Sequence, residues 1–449
     1  MTTAMPRAAT DLSPEQAEAR ERIYAAPLES LDPAKTDRFP TGEWQWVFER
    51  LRAEDPVHLT TEEHSEFGRY WSLTRWADIQ AADTNHELFS ADGLIALNRP
   101  EPVARTTSIF DGRELTEEEV QERQKAGIRS LLSMDPPDHE IHRGAVAEGV
   151  APANLAALEP LIRERAGAIL DGLPIGEEFD WVDKVSIELT AMTLATLFDY
   201  PQEKRRQLTY WSDVITTQAG PGQPAETQEE HDLAIRDFYM TMAELVGSRR
   251  SEEPRIDFMS LMAHSPHSVN FSEAELFGDS VVLLVGGNDT TRNTITGSVY
   301  FLSQNPEENA KLRANPKLIP SMVSETIRFQ TPLTHMTRRT TQDVEIGGKV
   351  IPAGDRVVLW YVSGNRDDAK VQDADSYVVD RKNPRQHLSF GFGIHRCLGN
   401  KLAELQLRII WEEMLVRFPE ITVVGEPKRS HGHFVKGYDS MTVVIPRRN

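Results

Sequence analysis

From Asp138 to Gln330 the apolar residues return mostly at helical spacing, over about 138–148, 154–171, 184–199, 203–218, 227–250, 273–304, 306–313 and 318–329. "PGQPAE" breaks the pattern at 221–226 and predicts a connection between two helices. After Pro332 the period changes. "RRTTQDVEIGGKVIPAGDRVVLWYV" alternates, with turn signals at "GG" and "PAGD", so small strands and hairpins are expected there. Residues 361–396 are mostly irregular, a last strong helix is expected over about 398–417, and "EITVVGE" and "MTVVIP" read as closing strands. Ahead of the helical run, "WQWVFERLRAED" and "RWADIQAADT" read as helices and "PVHLT" and "RYWSLT" as short strands. With no internal repeat and no linker between halves, the pattern specifies a mainly α fold with a minor β region. It sets a Pro- and Ala-rich surface arm over 1–40 before one domain over 41–449.

Composition narrows the function classes. Of 449 residues one is cysteine, so no internal disulfide forms, which fits a reducing, cytoplasmic setting. A formal net charge of −21 argues against nucleic acid or anionic lipid as a general partner. "MTTAMPRAATDLSPEQ" lacks the apolar run of a secretory signal. The longest apolar stretch, 276–302, is interrupted by Asp279, Asp289 and Arg292, so a buried helix is expected there and no membrane span. From about Ser90 to Ser133 periodicity is lost, except in "ELTEEEVQERQKAG", which suits a short solvated helix. So long an irregular segment points to function.

The single thiol, Cys397, stands in "LSFGFGIHRCLGN", where Phe390, Gly393, Cys397 and Gly399 follow the spacing F-x-x-G-x-x-x-C-x-G. The helix expected just after it offers unpaired N–H groups and a positive partial charge, which favour thiolate over thiol. Glycines let the backbone turn tightly around the sulfur. A lone thiolate without Cys or His at zinc spacing suits haem iron better than zinc. An inert buried cysteine is the alternative. In "VVLLVGGNDTTRN", Gly286 and Gly287 admit a flat cofactor or small ligand close to a helix backbone. Thr290 at i+4 is placed to bond the Gly286 carbonyl and loosen the turn, with Asp289 beside it. Close helix packing at the glycines is the alternative. Glu325 and Arg328 in "SETIRFQ" share a helix face, as do His139 and Arg143 in "DPPDHEIHR"; each pair in isolation also fits a solvated surface. "HMTRRTT" adds Arg338 or Arg339 beside a strand.

Together and in this order, these motifs resemble the cytochrome P-450 family of haem-thiolate monooxygenases over about residues 40–446. The resemblance implies a triangular, helix-rich haem domain holding haem b. It makes Cys397 the axial iron ligand, and Asp289 and Thr290 an acid–alcohol pair that delivers protons to dioxygen. His139, Arg143, Arg338 and His395 match positions that contact haem propionates, a fitting use for charge-assisted donors. Gly286, Gly287, Phe390, Gly391 and Gly399 join them as cofactor-binding positions. Glu325, Arg328 and Arg381 of "YVVDR" match an architectural triad.

Phrases such as "GGNDTTRN", "WYVSGNRD" and "FVKGYDS" are similar to the bacterial branch that hydroxylates alkanes and fatty acids at the terminal carbon. The segment 98–130 is longer and more charged than that branch implies. It keeps open a bulkier terpenoid or steroid-like substrate, and from another class a haem sensor or carrier. Leu94, Ile95, Leu283 and Leu284, with the connection near 218–226, are the expected substrate wall. The chain carries no flavin or nicotinamide fingerprint, since "GGKVIPAGD" is not G-x-G-x-x-G between strand and helix. A ferredoxin with its NAD(P)H-linked reductase is therefore the expected electron source, docking near Arg396 and Lys401.

Overall fold

The computed structural model describes residues 12–99, 108, 113–126 and 129–449. Helices dominate and enclose one large apolar core. The expected helices are present, with ends shifted by a few residues: Asp138–Val146, Pro152–Asp171, Glu188–Leu197, Arg205–Thr216, Gln228–Arg249, Pro306–Ala314, Ile319–Gln330 and Asn400–Arg417. The central helix, Glu273–Gln304, has the bounds its sequence predicts. Ser272 accepts from the Glu275 amide while the Glu275 carboxylate accepts from the Ser272 amide, a capping box that fixes its start. Its 32 residues run about 48 Å, and most of them are buried. Thr227 and Glu230 form the same box ahead of Gln228–Arg249, just after the "PGQPAE" connection.

The main sheet has five strands in the spatial order Val57–Thr60, Tyr70–Leu73, Arg356–Leu359, Met336–Thr340, Phe89–Ser90. Tyr70–Leu73 and Arg356–Leu359 run parallel; the other neighbours are antiparallel. The expected "GG" turn joins Val344–Ile346 to Lys349–Ile351, with φ of 58° at Gly347 and 77° at Gly348. The closing strands Thr422–Val423 and Thr442–Val444 form as expected. Thr442–Val444 lies between Thr422–Val423 and Glu178–Asp180 and pairs antiparallel with both, the last a strand whose three residues carry no periodic signal of their own.

Some features were not legible in advance. Residues 182–187 form a π-helical turn rather than regular α-helix, just before Glu188–Leu197. Phe258–His264 is a further short helix. Residues 1–11 of the expected N-terminal arm lie outside the described residues. From Pro14 the chain forms a helix to Ala25 that packs Ala19 and Ile23 against Trp46, Val47 and Leu51. Arg50 fastens it by donating to the carbonyls of Ile23 and Ala26, each at 2.7 Å. Within the long segment, Glu117–Ala126 is the expected short helix; residues 100–107, 109–112 and 127–128 lie outside the described residues.

Candidate active site

The loop before Asn400–Arg417 is shaped by its own hydrogen bonds. The Gly391 amide donates to Leu388 O at 2.7 Å, the Cys397 amide to Phe390 O at 2.8 Å, and Asn400 Nδ2 to Cys397 O at 2.7 Å. Gly393 is required twice over. Its φ is 65°, and a Cβ there would lie 2.5 Å from the Asp83 carbonyl oxygen. Gly399, at the helix N-cap, instead borders open space, with no atom within 4 Å of a Cβ placed there. Phe390 packs on the main core. The half-buried Cys397 thiol is pushed up by burial, opposed by the Gly399 amide and by the charges of Arg143 and Arg396. The expected thiolate is therefore not secured by the helix terminus alone; a coordinated metal cation deprotonates such a thiol outright. Among the described residues no group of three or more His, Cys, Asp or Glu side chains is placed to hold a metal.

His139, Arg143, Arg338 and His395 are drawn toward one another from a helix, a strand and the loop. The rings of His139 and His395 meet edge to face, with centroids 4.5 Å apart. Both rings are buried, and none of their four nitrogens has a partner; one terminal nitrogen of Arg143 is also buried without one. The other donates to Arg396 O at 2.8 Å. Burial pushes His395 down to about 2, helped by the positive charges of Arg338 and Arg143. Burial and Arg143 lower His139 as well. Buried donors left without acceptors cost stability in an isolated chain. Carboxylates brought by a ligand satisfy them, so the residues present fit a haem with its two acidic side arms.

On the central helix, Thr290 Oγ1 donates to Gly286 O at 2.8 Å, as its spacing predicts, and Thr294 repeats the bond to Thr290 O at 2.6 Å. Nothing lies within 4 Å of a Cβ placed on Gly286, so the chain leaves a notch at that turn. Gly287 differs: its Cβ would lie 3.0 Å from Leu194 Cδ1, on the side packed by Glu188–Leu197. A side chain at Gly287 would therefore point toward that helix and one at Gly286 away from it, because adjacent helical residues point about 100° apart. Leu284, at helical spacing from Gly287, is wholly buried in the main core, which assigns it to packing rather than to a ligand wall. Leu283 lies on the turn that leads to Gly286 and Thr290.

Asp289 is 1% exposed and faces the helix Arg205–Thr216. Ser212 Oγ donates to its Oδ2 at 3.1 Å, while Asn288 Nδ2 at 2.9 Å and Arg292 at 3.0 Å meet Oδ1. Arg292 also pairs with Asp213 at 2.9 Å. Burial pushes the Asp289 carboxyl up to about 6, against the pull of Arg292. Ser212 and Asp213 had no motif to mark them, and Arg292, inside the quoted "GGNDTTRN", carried no assigned role.

Glu325 and Arg328 are not a surface pair. Both side chains are 0% exposed, joined by two hydrogen bonds of 2.8 Å. Arg381 Nε adds a third at 2.9 Å and the Val378 amide a fourth at 2.9 Å. Arg328 also donates to the carbonyls of Asn365, Ala374 and Ser376. Asn365, unmarked in the sequence, carries this order to the thiol loop: its Oδ1 accepts from the Leu388 amide at 2.7 Å, and its Nδ2 donates to Ser389 Oγ at 2.9 Å. Of the expected substrate wall, Ile95 is held by its carbonyl, which accepts from the Thr337 amide at 3.0 Å. Leu94 is partly buried beside it.

The family model for cytochrome P450 matches residues 222–433. Linalool 8-monooxygenase of Pseudomonas putida is 33% identical over 89% of this chain and 95% of its own length. A putative cytochrome P450 of Mycobacterium tuberculosis is 31% identical over 91% and 96%. The chain belongs to the cytochrome P450 family. Among solved structures, cytochrome P450-153 from Novosphingobium aromaticivorans superposes on this P450 with a TM-score of 0.81 and 39% identity, covering 92% of this chain and 98% of that one. The methyl-branched lipid omega-hydroxylase of M. tuberculosis is 29% identical over 88% and 90%. This P450 is accordingly a monooxygenase that binds iron protoporphyrin IX, related to the omega-hydroxylase branch of the family. Among the described residues no helix is long and apolar enough to cross a membrane.

Proposed function

We propose that this P450 hydroxylates the terminal carbon of medium-chain alkanes or fatty acids. In this reading Cys397 is the axial thiolate, and a ferredoxin with its NAD(P)H-linked reductase supplies electrons. The observation that carries the catalytic part is the presence in one fold of a thiol loop, a cluster of buried donors without acceptors, and a central helix notched at Gly286. Likeness to cytochrome P450-153 and to the lipid omega-hydroxylase supports attack at a chain end. Bound haem supplies the oxygen chemistry, in which one atom of dioxygen enters a C–H bond and the other leaves as water.

The chain's own residues bind, orient and move protons. His139, Arg143, Arg338 and His395 hold the acidic edge of the cofactor. Thr290 Oγ1 presents a hydroxyl at the notch. Asp289, joined through Arg292 to the part-exposed Asp213, is placed to replace protons consumed there. Exposed Arg396 and Lys401 give the docking face local positive charge on an acidic molecule.

The test is a spectral titration of purified holoenzyme with octane, octanoic acid and linalool, followed by product analysis with a surrogate ferredoxin system. A low-to-high-spin shift with the straight chains and oxygen at their last carbon is expected. A response to linalool alone favours a second reading, a terpenoid alcohol as substrate, which the 33% identity to linalool 8-monooxygenase supports.

Two site variants follow from the geometry. Thr290→Ala is expected to retain haem while diverting reducing equivalents to peroxide, so product per NADH consumed drops about tenfold or more, toward the roughly 10²-fold of a lost proton-transfer group. An unchanged ratio removes Thr290 from the proton path. The Asp289 carboxyl, raised to about 6, donates in its protonated form. Turnover limited by proton delivery therefore falls as pH rises through that value. In Asp289→Asn the profile should lose this inflection and lie about 10²-fold lower; an inflection retained in the variant belongs to another group.

A further inference from the structure

We infer that Asp83, the last residue of helix Trp76–Asp83, is a positioning residue of the haem socket, acting through Arg338 and through the loop amide of Phe392. Its side chain is 1% exposed, and both oxygens are committed. Oδ1 accepts from Arg338 at 3.1 Å. Oδ2 accepts from the Tyr361 hydroxyl at 3.0 Å and from the Phe392 amide at 2.7 Å. One carboxylate thus joins strand Met336–Thr340, the segment after Arg356–Leu359, and the turn that precedes His395 and Cys397. Its backbone takes part as well, because Gly393 lies against the Asp83 carbonyl too closely for any side chain. On the same helix, the Trp76 ring meets that of Phe392 edge to face at 5.7 Å.

Two consequences follow for the cofactor. Arg338 carries five N–H donors in a rigid fork. One terminal nitrogen reaches Asp83 and the other the Thr337 carbonyl at 3.0 Å, which fixes the plane of the guanidinium and so the direction of its remaining donors. The electrostatic consequence is larger. Arg338 is 3% exposed, and Asp83 is its ion-pair partner in a region where low effective dielectric strengthens every charge. Asp83 therefore sets how much positive charge the socket directs at the haem, with no contact of its own to it. No sequence motif marks the residue, because its partners lie 255, 278 and 309 positions further along the chain.

The inference rests on the proposed contact of Arg338 with an acidic arm of the haem, and a double-mutant cycle separates the two. Wild type, Asp83→Asn, Arg338→Gln and the double variant are prepared as holoproteins. Haem reduction potential and the rate of haem transfer to apomyoglobin are measured for each. Asp83→Asn should raise the potential and speed haem transfer about tenfold or more, as loss of an outer-sphere partner typically does. In the Arg338→Gln background the change in potential should vanish.

An equal shift in both backgrounds, or no change of either quantity in Asp83→Asn, overturns the role of Asp83 and leaves Arg338 in place. Arg338→Gln with wild-type potential and haem transfer removes the propionate contact itself and the inference with it. If Asp83→Asn yields no holoprotein, Asp83→Glu carries the test. It keeps the charge while displacing it from Phe392, so haem transfer should accelerate at nearly unchanged potential. Wild-type haem transfer in that variant also overturns the inference.

Discussion

Glu325→Ala is expected to lose most of its holoprotein, although Glu325 is placed to touch neither substrate nor cofactor. Its carboxylate accepts four hydrogen bonds, from Arg328 twice, Arg381 and Val378. Removing it strands one guanidinium that is fully buried and a second whose side chain is 9% exposed. Breaking one side of a buried pair costs about 3–5 kcal/mol, against a total stability of about 5–15 kcal/mol for a folded chain. The loss falls at the base of the thiol loop, since Arg328 and Asn365 tie that carboxylate to Leu388 and Ser389. The measurements are haem absorbance per mole of purified protein and the denaturant midpoint. A variant with full haem and a wild-type midpoint contradicts the expectation.

The same group predicts acid sensitivity. Burial pushes the Glu325 carboxyl up, but Arg328 and Arg381 outweigh it and hold it below the usual range. A depressed carboxyl contributes stability that is present above the unfolded value of about 4.3. That stability is lost as pH falls through the folded value. Wild type should therefore lose its margin over Glu325→Gln in strong acid and regain it toward neutrality.

Cys397→Ala should fold and yet lose the reduced carbon-monoxide Soret band that names the family, together with all detectable oxygenation. The loop does not depend on the thiol for its shape. The bonds that fold it run from the Gly391 and Cys397 amides and to the Cys397 carbonyl, and alanine retains all of them. Gly391 and Gly393, with φ of 64° and 65°, set the turn independently. A difference spectrum of the dithionite-reduced, carbon-monoxide-treated variant is the decisive measurement. The family's band persisting there would refute the ligand assignment, since the chain has no other cysteine.

What could be read from the sequence was local. The central helix carries its own start in Ser272 and Glu275 and its own stop before Pro306. The thiol loop advertises itself because its glycines answer a backbone need within ten residues. Thr290 finds its acceptor one turn away on the same helix. What stayed hidden was tertiary. Glu325 and Arg328 look like a solvated pair until Arg381 and the carbonyls of 365–376 enclose them. Asp83 and Asn365 are unremarkable in the sequence because their partners come from distant strands and loops. Asp289 was legible as an acid, whereas its donor Ser212, and Asp213, which shares Arg292 with it, come from a helix about 75 residues earlier, a pairing that periodicity does not encode. The packing of Leu284 in the core and of Gly287 beside Leu194 was hidden for the same reason, since composition alone does not say which way each turn of a buried helix points.

The two neighbouring glycines of the central helix make unequal targets for changing substrate range. At Gly286 a methyl group enters space that no protein atom occupies, so a small side chain there trims the volume open to a guest while leaving the scaffold intact. At Gly287 the same methyl group presses on the tip of Leu194, which must give by a few tenths of an ångström to admit it. A mutant library that randomises both positions together would mix the cost of repacking Leu194 at the second site with the tolerance of the first.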